Sequence, residues 1–227
     1  MKNLYIFDVS GIVYYGTTGT LSYVYKGMQV SGIKALTGRL TAALAEHADV
    51  ILAFDARSFR KDLLDVYKGD RVPNRYVGSQ LDLLMEMLEK AGIPCYKFDG
   101  YEADDIIGTL AKMAENTSED YHITVVSGDK DLIQLTDENT VVEISKKGVA
   151  EFEAFTPDYL MEKMGITPAQ FIDLKSLMGD KSDNIPGVTK IGEKTGLKLL
   201  LEHGSLEGIY EHIDEMKKSK MKENLIN

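Results

Sequence analysis

The sequence predicts an α/β domain with a mostly parallel central sheet and flanking helices, followed by a small helical module. Short β-branched and aromatic runs alternate with longer stretches of helical period, the pattern of a parallel sheet covered on both faces. Strand-like runs cease after about residue 155, where Thr156-Pro157 and Thr167-Pro168 both read as helix starts with Pro at the first helical position. The 227 residues are 44% hydrophobic, enough for a core that needs no covalent staples.

Taken in order, Asn3–Phe7 (NLYIF), Asp49–Phe54 (DVILAF) and His122–Ser127 (HITVVS) read as buried strands. Pro94–Phe98 and Thr140–Ser145 add two more. Between them, Ile33–Ala45 carries apolar residues at Ile33, Leu36, Leu40 and Leu44, and Leu81–Ala91 carries them at Leu81, Leu84, Met85 and Leu88. Asp104–Ala114 repeats the helical period with Ile107, Leu110, Ala111 and Ala114. Beyond 155, Gly192–Leu201 and Ser205–Ile213 read as helices broken at Gly204, with no strand pattern. The expected domains are therefore 1–155 and 156–227. The tail, MKKSKMKEN, reads as a solvated basic helix end.

Bulk composition excludes several classes. One cysteine allows no internal disulfide framework and no all-Cys metal cage. No run of about 18 apolar residues exists, and Asp8 comes too early for a signal peptide, so no membrane association and a cytoplasmic location are expected. With 26 Lys plus Arg against 36 Asp plus Glu, the net charge of −10 argues against nucleic-acid binding through bulk charge. A local basic groove stays open, and the surplus acids need a place.

They fall at special positions. The first strand ends in Asp8 and the second in Asp55. GYEADD puts Glu102, Asp104 and Asp105 at a helix start, SGDKD puts Asp129 and Asp131 after the third strand, and MGDKSDN places Asp180 and Asp183 in the helical module. In open α/β sheets the functional crevice lies beyond the carboxyl ends of the strands. Each pair alone reads as a cap or turn. Together, acids at several ends of one sheet repel each other unless cations lie between them. With only four histidines, hard oxygen ligands suit magnesium or manganese. Two such ions about 4 Å apart can clamp a phosphodiester and activate a water for in-line attack.

Two basic features complement the acids. Arg57 and then FRKDLLDVYKGDR (59–71) place Arg60, Lys61, Lys68 and Arg71 soon after Asp55, able to hold phosphates or to form a solvated helix. PGVTKIGEKTGL (186–197) reads as two short helices joined by a Gly-centred hairpin, with Lys190 and Lys194 beside backbone N–H groups that can grip a phosphate. This hairpin is not a P-loop, because Glu193 precedes the lysine and no strand precedes the loop. IFDVSG with GDKSDN also resembles a haloacid-dehalogenase-type phosphatase, but Ser10 stands where that chemistry needs its second Asp.

As a set, FDA, FR followed by YKGDR, GYEADDIIGTLA, SGDKDLIQL and LMGDKSDNIPGVTKIGEKT resemble the 5′-nucleases of the flap endonuclease superfamily. The resemblance covers nearly the whole chain. It is strongest to the bacterial form, the N-terminal 5′-nuclease domain of DNA polymerase I and its stand-alone relatives. It implies a PIN-like α/β domain with a helical arch at about 59–80 and a C-terminal helix-hairpin-helix module. It also implies Mg²⁺- or Mn²⁺-dependent hydrolysis of phosphodiesters near the 5′ end of flapped or nicked DNA in replication and repair.

Carried over residue by residue, it implies that Asp8, Asp55, Glu102, Asp104 and Asp105 mainly hold an inner metal. Asp180 and Asp183 would serve an outer one, with Asp129 and Asp131 between. Lys68 and Arg71 would reach the scissile phosphate. Tyr14, Arg57, Arg60, Tyr67, Gly187, Lys190, Gly192 and Lys194 would contact DNA, with a potassium ion at the hairpin. A monomer, and a DNA polymerase partner in cis or in trans, are the implied associations. The chain departs from the family at Val9, where Gly is usual, and at Tyr15, where Arg is expected after the aromatic of the first loop. The stretch 62–67 also lacks the Pro often found before the YK pair. A stand-alone nuclease and a fragment of a polymerase are both open. So are a non-catalytic branched-DNA-binding module, a PIN-type ribonuclease and, weakly, the phosphatase.

Overall fold

A computed structural model describes residues 2–19, 22–146 and 151–226. The chain divides into two compact units, Met1–Phe59 with Val72–Thr156, and Arg60–Arg71 with Pro157–Asn227.

The first unit runs β1 (Lys2–Asp8), α1 (Val9–Thr18), β2 (Val24–Tyr25), β3 (Met28–Gln29), α2 (Ser31–Ala45) and β4 (Asp49–Ala53). After the excursion of residues 60–71, which contains α3 (Arg60–Leu63), it resumes with α4 (Arg75–Lys90), β5 (Cys95–Tyr96), α5 (Ala103–Glu115), β6 (Tyr121–Ser127), β7 (Thr140–Lys146) and β8 (Glu151–Phe155). The sheet order is β5-β4-β1-β6-β7-β8, parallel except for β8, which pairs antiparallel with β7. From β1 the chain builds outward to β4 and β5, then returns to β6 and builds the other way. The strand order therefore reverses between β1 and β6, the place where such sheets open a crevice.

Burial explains the central strands. Phe7 of β1 lies between Leu52 of β4 and Val126 of β6, and all three are fully buried with Leu36 and Leu84. A long polar side chain is built into this interior. Gln80 is fully buried; its Oε1 accepts from Gly32 N–H (2.9 Å) and Ile33 N–H (3.2 Å), while its Nε2 donates to Thr17 Oγ1 (2.9 Å) and Tyr76 C=O (2.8 Å).

The second unit joins residues 60–71 to α6 (Pro157–Met164), α7 (Pro168–Met178), β9 (Gly179–Asp180), β10 (Ile185–Pro186), α8 (Glu193–His203), α9 (Leu206–Glu211) and α10 (Lys220–Ile226). Its interior is formed by Leu160, Ile166, Leu177, Leu200 and Ile209. Both Pro helix starts stand where the sequence places them, and Thr167 with Gln170 closes a capping box. Gly204 ends α8 at φ 85°. Among the described residues, no helix is long and apolar enough to cross a membrane.

Several expectations are corrected. The "first loop" holding Tyr14 and Tyr15 is the helix α1, started by the Asp8 side chain, which accepts from Gly11 N–H. The stretch expected as an arch at about 59–80 is divided. Residues 60–71 belong to the second unit, whereas Val77 and Gln80 are buried in the first on α4. Helix in 59–71 is confined to Arg60–Leu63, because the backbone then turns at Leu64–Tyr67 and Val66–Gly69, and Lys68 takes φ 50°. The segment after 155 does contain strand, the two-residue ribbon β9–β10. The first of the two helices expected in 186–197 is a single turn, Ile191 N–H to Val188 C=O (3.0 Å). Pro186 offers no N–H, Lys190 turns to φ 68°, and Gly187 is packed so tightly that a Cβ there would lie 2.1 Å from the Met178 backbone.

Candidate active site

The acids of the first unit gather at the β1–β6 switch point. Asp8, the last residue of β1, is 4% exposed. Its Oδ1 accepts from Gly11 N–H (2.8 Å) and its Oδ2 from the Ser127 hydroxyl (2.6 Å), at the end of β6. Ser127 Oγ in turn accepts from Asp129 N–H (2.9 Å), and Asp129 Oδ1 accepts from Asp131 N–H (2.9 Å). Ser127 thus ties the ends of the two strands together through one hydroxyl.

Asp55, two residues beyond β4, is exposed and fixed from two sides. Its N–H donates to Ser10 Oγ (3.0 Å) and its Oδ1 accepts from Ala103 N–H (2.7 Å), in the first turn of α5. Glu102 is the N-cap of that helix, buried, in a reciprocal capping box with Asp105, whose Oδ2 accepts from Glu102 N–H (3.0 Å). Asp104 and Asp105 are half-buried in the same turn. Asp8, Asp129 and Glu102 are therefore helix caps as well as candidate ligands. The two readings coexist, since a cap fixes a carboxylate at a helix N-terminus, where negative charge is favoured.

Electrostatics at this edge are unfavourable to a second negative charge. Burial, and next the Asp55 carboxylate, push the Asp8 carboxyl up to about 7; Ser127 and Gly11 oppose the rise and Asp129 adds to it. Among the described residues, no group of three His, Cys, Asp or Glu side chains is placed so that it could hold a metal ion. The donor set nonetheless suits a hard divalent ion in chemistry and charge. Such ions commonly keep several waters and bind through one or two carboxylates and substrate phosphates.

The other two predicted acids, Asp180 and Asp183, lie in the second unit with Tyr67, Lys68 and Arg71. Asp180 accepts from Lys175 Nζ (2.6 Å), Ser182 N–H (2.7 Å), Ser182 Oγ–H (2.6 Å) and Asp183 N–H (3.1 Å). Burial raises its pKa, but these bonds, Lys175 foremost, hold it at about 2. Asp183 is engaged by three of the residues that the sequence singles out in the 60–71 segment, Tyr67, Lys68 and Arg71. It pairs with Arg71, lies 3.7 Å from Lys68 Nζ, and accepts from the Tyr67 hydroxyl at 3.3 Å. The cations expected on a phosphate are thus on a carboxylate, and both acids expected on an outer metal have cationic partners.

Of the expected DNA contacts, Tyr14 (55% exposed) lies on α1, Arg57 is exposed in the loop after β4, and Arg60 is half-buried at the start of α3. Gly187 is half-buried; Lys190, Gly192 and Lys194 are exposed, with Gly192 as the N-cap of α8. Sequence reasoning missed Ser127 and Ser10, which hold Asp8 and Asp55 in place. The available signal was a hydroxyl residue ending a buried strand directly before GDKD, and a serine two residues after the first strand's Asp.

Two family models match consecutive stretches of the chain. The 5′-3′ exonuclease N-terminal resolvase-like domain matches residues 3–165, and the 5′-3′ exonuclease C-terminal SAM fold matches residues 166–227. DNA polymerase I of Streptococcus pneumoniae (strain R6) is 68% identical over 186 residues, 80% of this chain and 21% of that protein. DNA polymerase I of Bacillus caldotenax is 44% identical over 230 residues, 99% of this chain and 26% of that protein. The chain therefore spans about a fifth to a quarter of the length of these curated relatives. In fold it is similar to the phage T5 flap endonuclease in complex with DNA and metal ions, with a TM-score of 0.75 and 23% identity, covering 99% of this chain and 84% of that one. Human GEN1 in complex with Holliday junction DNA is similar at a TM-score of 0.64 and 16% identity, covering 99% and 56%. With both of its domains matched along nearly the whole length, the chain belongs to the 5′-3′ exonuclease family.

Proposed function

We propose that this chain is a divalent-metal-dependent 5′-nuclease that hydrolyses phosphodiesters near the 5′ end of flapped, nicked or branched DNA, with Mg²⁺ or Mn²⁺. One observation carries the reading: a buried Asp8 at the strand-order switch point, crowded by Asp55 and Asp129 and tied to the Asp129 backbone through Ser127. A structural cap does not need two further acids around it. Family membership and the T5 structures that hold metal ions support the same chemistry.

The residues that would hold the ions are Asp8, Asp55, Glu102, Asp104, Asp105, Asp129 and Asp131, with Asp180 and Asp183 as proposed ligands of an outer ion. When bound, the ions supply an acidified water and offset charge on the phosphoryl oxygens. Asp8 is positioned by Gly11 and Ser127, so its ionised carboxylate needs no rearrangement to act as a ligand. Asp55 is fixed by Ser10 and Ala103 in the same way. Lys68 and Arg71 neutralise the scissile phosphate and orient it. The exposed turn before α8 offers backbone N–H groups and Lys190 and Lys194 to the duplex backbone. A polymerase partner, in cis or in trans, is supported by the DNA polymerase I relatives.

The test is Asp129→Asn and Asp105→Asn on a 5′-labelled flap duplex. Both variants are expected to lose cleavage while keeping DNA affinity; retained turnover contradicts the metal assignment. Lys68→Ala is expected to slow the chemical step more than it weakens binding, and a pure affinity loss removes its proposed role.

A further inference from the structure

The 60–71 segment is held in the second unit by a carboxylate where the nuclease reading puts a phosphate. Tyr67 is 5% exposed and its hydroxyl donates to Asp183 Oδ2 at 3.3 Å. The Lys68 N–H donates to the Asp183 carbonyl at 2.9 Å, and Lys68 Nζ lies 3.7 Å from its carboxylate. The Arg71 guanidinium pairs with the Asp183 carboxylate and also donates through Nε to the Ser182 carbonyl at 3.3 Å. Lys68 (φ 50°) and the neighbouring Asn184 (φ 62°) both adopt left-handed backbone to make this fit. Asp180, in the same GDKSD turn, is engaged by Lys175 and by the turn itself.

We propose that Asp183 is a positioning residue whose carboxylate stands in for a substrate phosphate on Lys68 and Arg71, clasping residues 60–71 until DNA displaces it. The proposal rests on the nuclease reading for the identity of the displacing group. Carboxylate and phosphate satisfy the same planar guanidinium fork, so one can replace the other without remodelling the cation. The Arg71 side chain is 51% exposed, which keeps the pair weak enough to exchange.

Two metal-free readouts test it: the rate of trypsin cutting at Lys61, and the affinity for a 5′-flap duplex in EDTA. Asp183→Asn is compared with Asp70→Asn, which removes the same charge from the exposed segment itself. Asp183→Asn is expected to raise cutting about fivefold and to tighten flap binding about fivefold beyond Asp70→Asn, the size of a partly exposed ion-pair cluster. Equal shifts in the two variants reduce the effect to bulk charge and overturn the clasp, as does unchanged cutting in Asp183→Asn. Arg71→Gln opens the clasp from its other side; it is expected to raise cutting at Lys61 similarly while weakening flap binding. Unchanged cutting in that variant also overturns the proposal. If the unmodified chain fails to bind the flap duplex at all, the nuclease reading falls, and the cutting rates alone judge the clasp.

Discussion

Ser127→Ala isolates the hydroxyl that joins the two central strand ends. The substitution removes one oxygen from a fully buried position. Two bonds are lost: the 2.6 Å donation to the Asp8 carboxylate and the 2.9 Å acceptance from Asp129 N–H. Above pH 7 the first is a bond to a charged group worth about 2 kcal/mol, and the orphaned N–H adds about 1, for a total of about 3 kcal/mol. Below pH 5, Asp8 is protonated and the first bond falls to about 1 kcal/mol, for a total of about 2. At roughly 3 °C per kcal/mol for a chain of this size, the melting temperature should drop about 9 °C at pH 8 and about 6 °C at pH 5. The Asp8 pKa should rise further, because a bond that favours its ionised form is gone. Thermal melts followed by circular dichroism at the two pH values, without metal, read this directly. A loss under about 1 kcal/mol, or one equal at both pH values, would refute the role given to Ser127.

Three further expectations follow from the same geometry. The folded-state pKa of Asp8 is raised from 3.8 to about 7, so the folded state holds a proton that the unfolded chain has released. Its contribution to stability therefore declines as pH rises through that window. Mg²⁺ should reverse this, raising the melting temperature at pH 8 and not at pH 4; an equal effect at both contradicts metal binding at Asp8. Gln80→Leu leaves the Gly32 and Ile33 N–H groups and Thr17 without their partner and should cost about 3 kcal/mol in urea unfolding, whereas a neutral result removes Gln80 as the polar tie of that core. Gly187→Ala should disrupt the second unit, because its Cβ meets backbone at 2.1 Å. Gly192→Ala meets nothing within 4 Å, so it should keep the fold and weaken flap-duplex binding alone. Melts paired with affinity measurements separate the two.

The central strands were legible because strands buried on both faces must be short, β-branched or aromatic and nearly continuous in apolar residues, as β1 and β4 are and as β6 is over Ile123–Val126 apart from Thr124. Their polar ends were legible for the same reason: Asp8 and Asp129 interrupt apolar runs at the sheet edge. Helix α1 was hidden because its composition is poor in helix formers. Gly11, Gly16, paired tyrosines and paired threonines give a weak local preference that tertiary packing overrides. The close approach that holds it, with Gly32 against Val13 and Gly16 against Ala35, is a long-range fact. The Glu151–Phe155 strand is absent from the sequence expectations, because Glu151 and Glu153 leave it no continuous apolar run. The candidate acids could be named from their motifs. The partnership of Asp183 with Lys68 and Arg71, more than a hundred residues apart in sequence, could not.

Cleavage of a 5′-labelled flap duplex beside a matched single strand of RNA, with and without Mg²⁺ or Mn²⁺, tests the central claim most directly. Metal-dependent cutting of the DNA near the flap junction is expected, with none in EDTA. Tight binding of the flap without cutting would contradict it in favour of a non-catalytic DNA-binding module, and cutting of the RNA alone in favour of a ribonuclease.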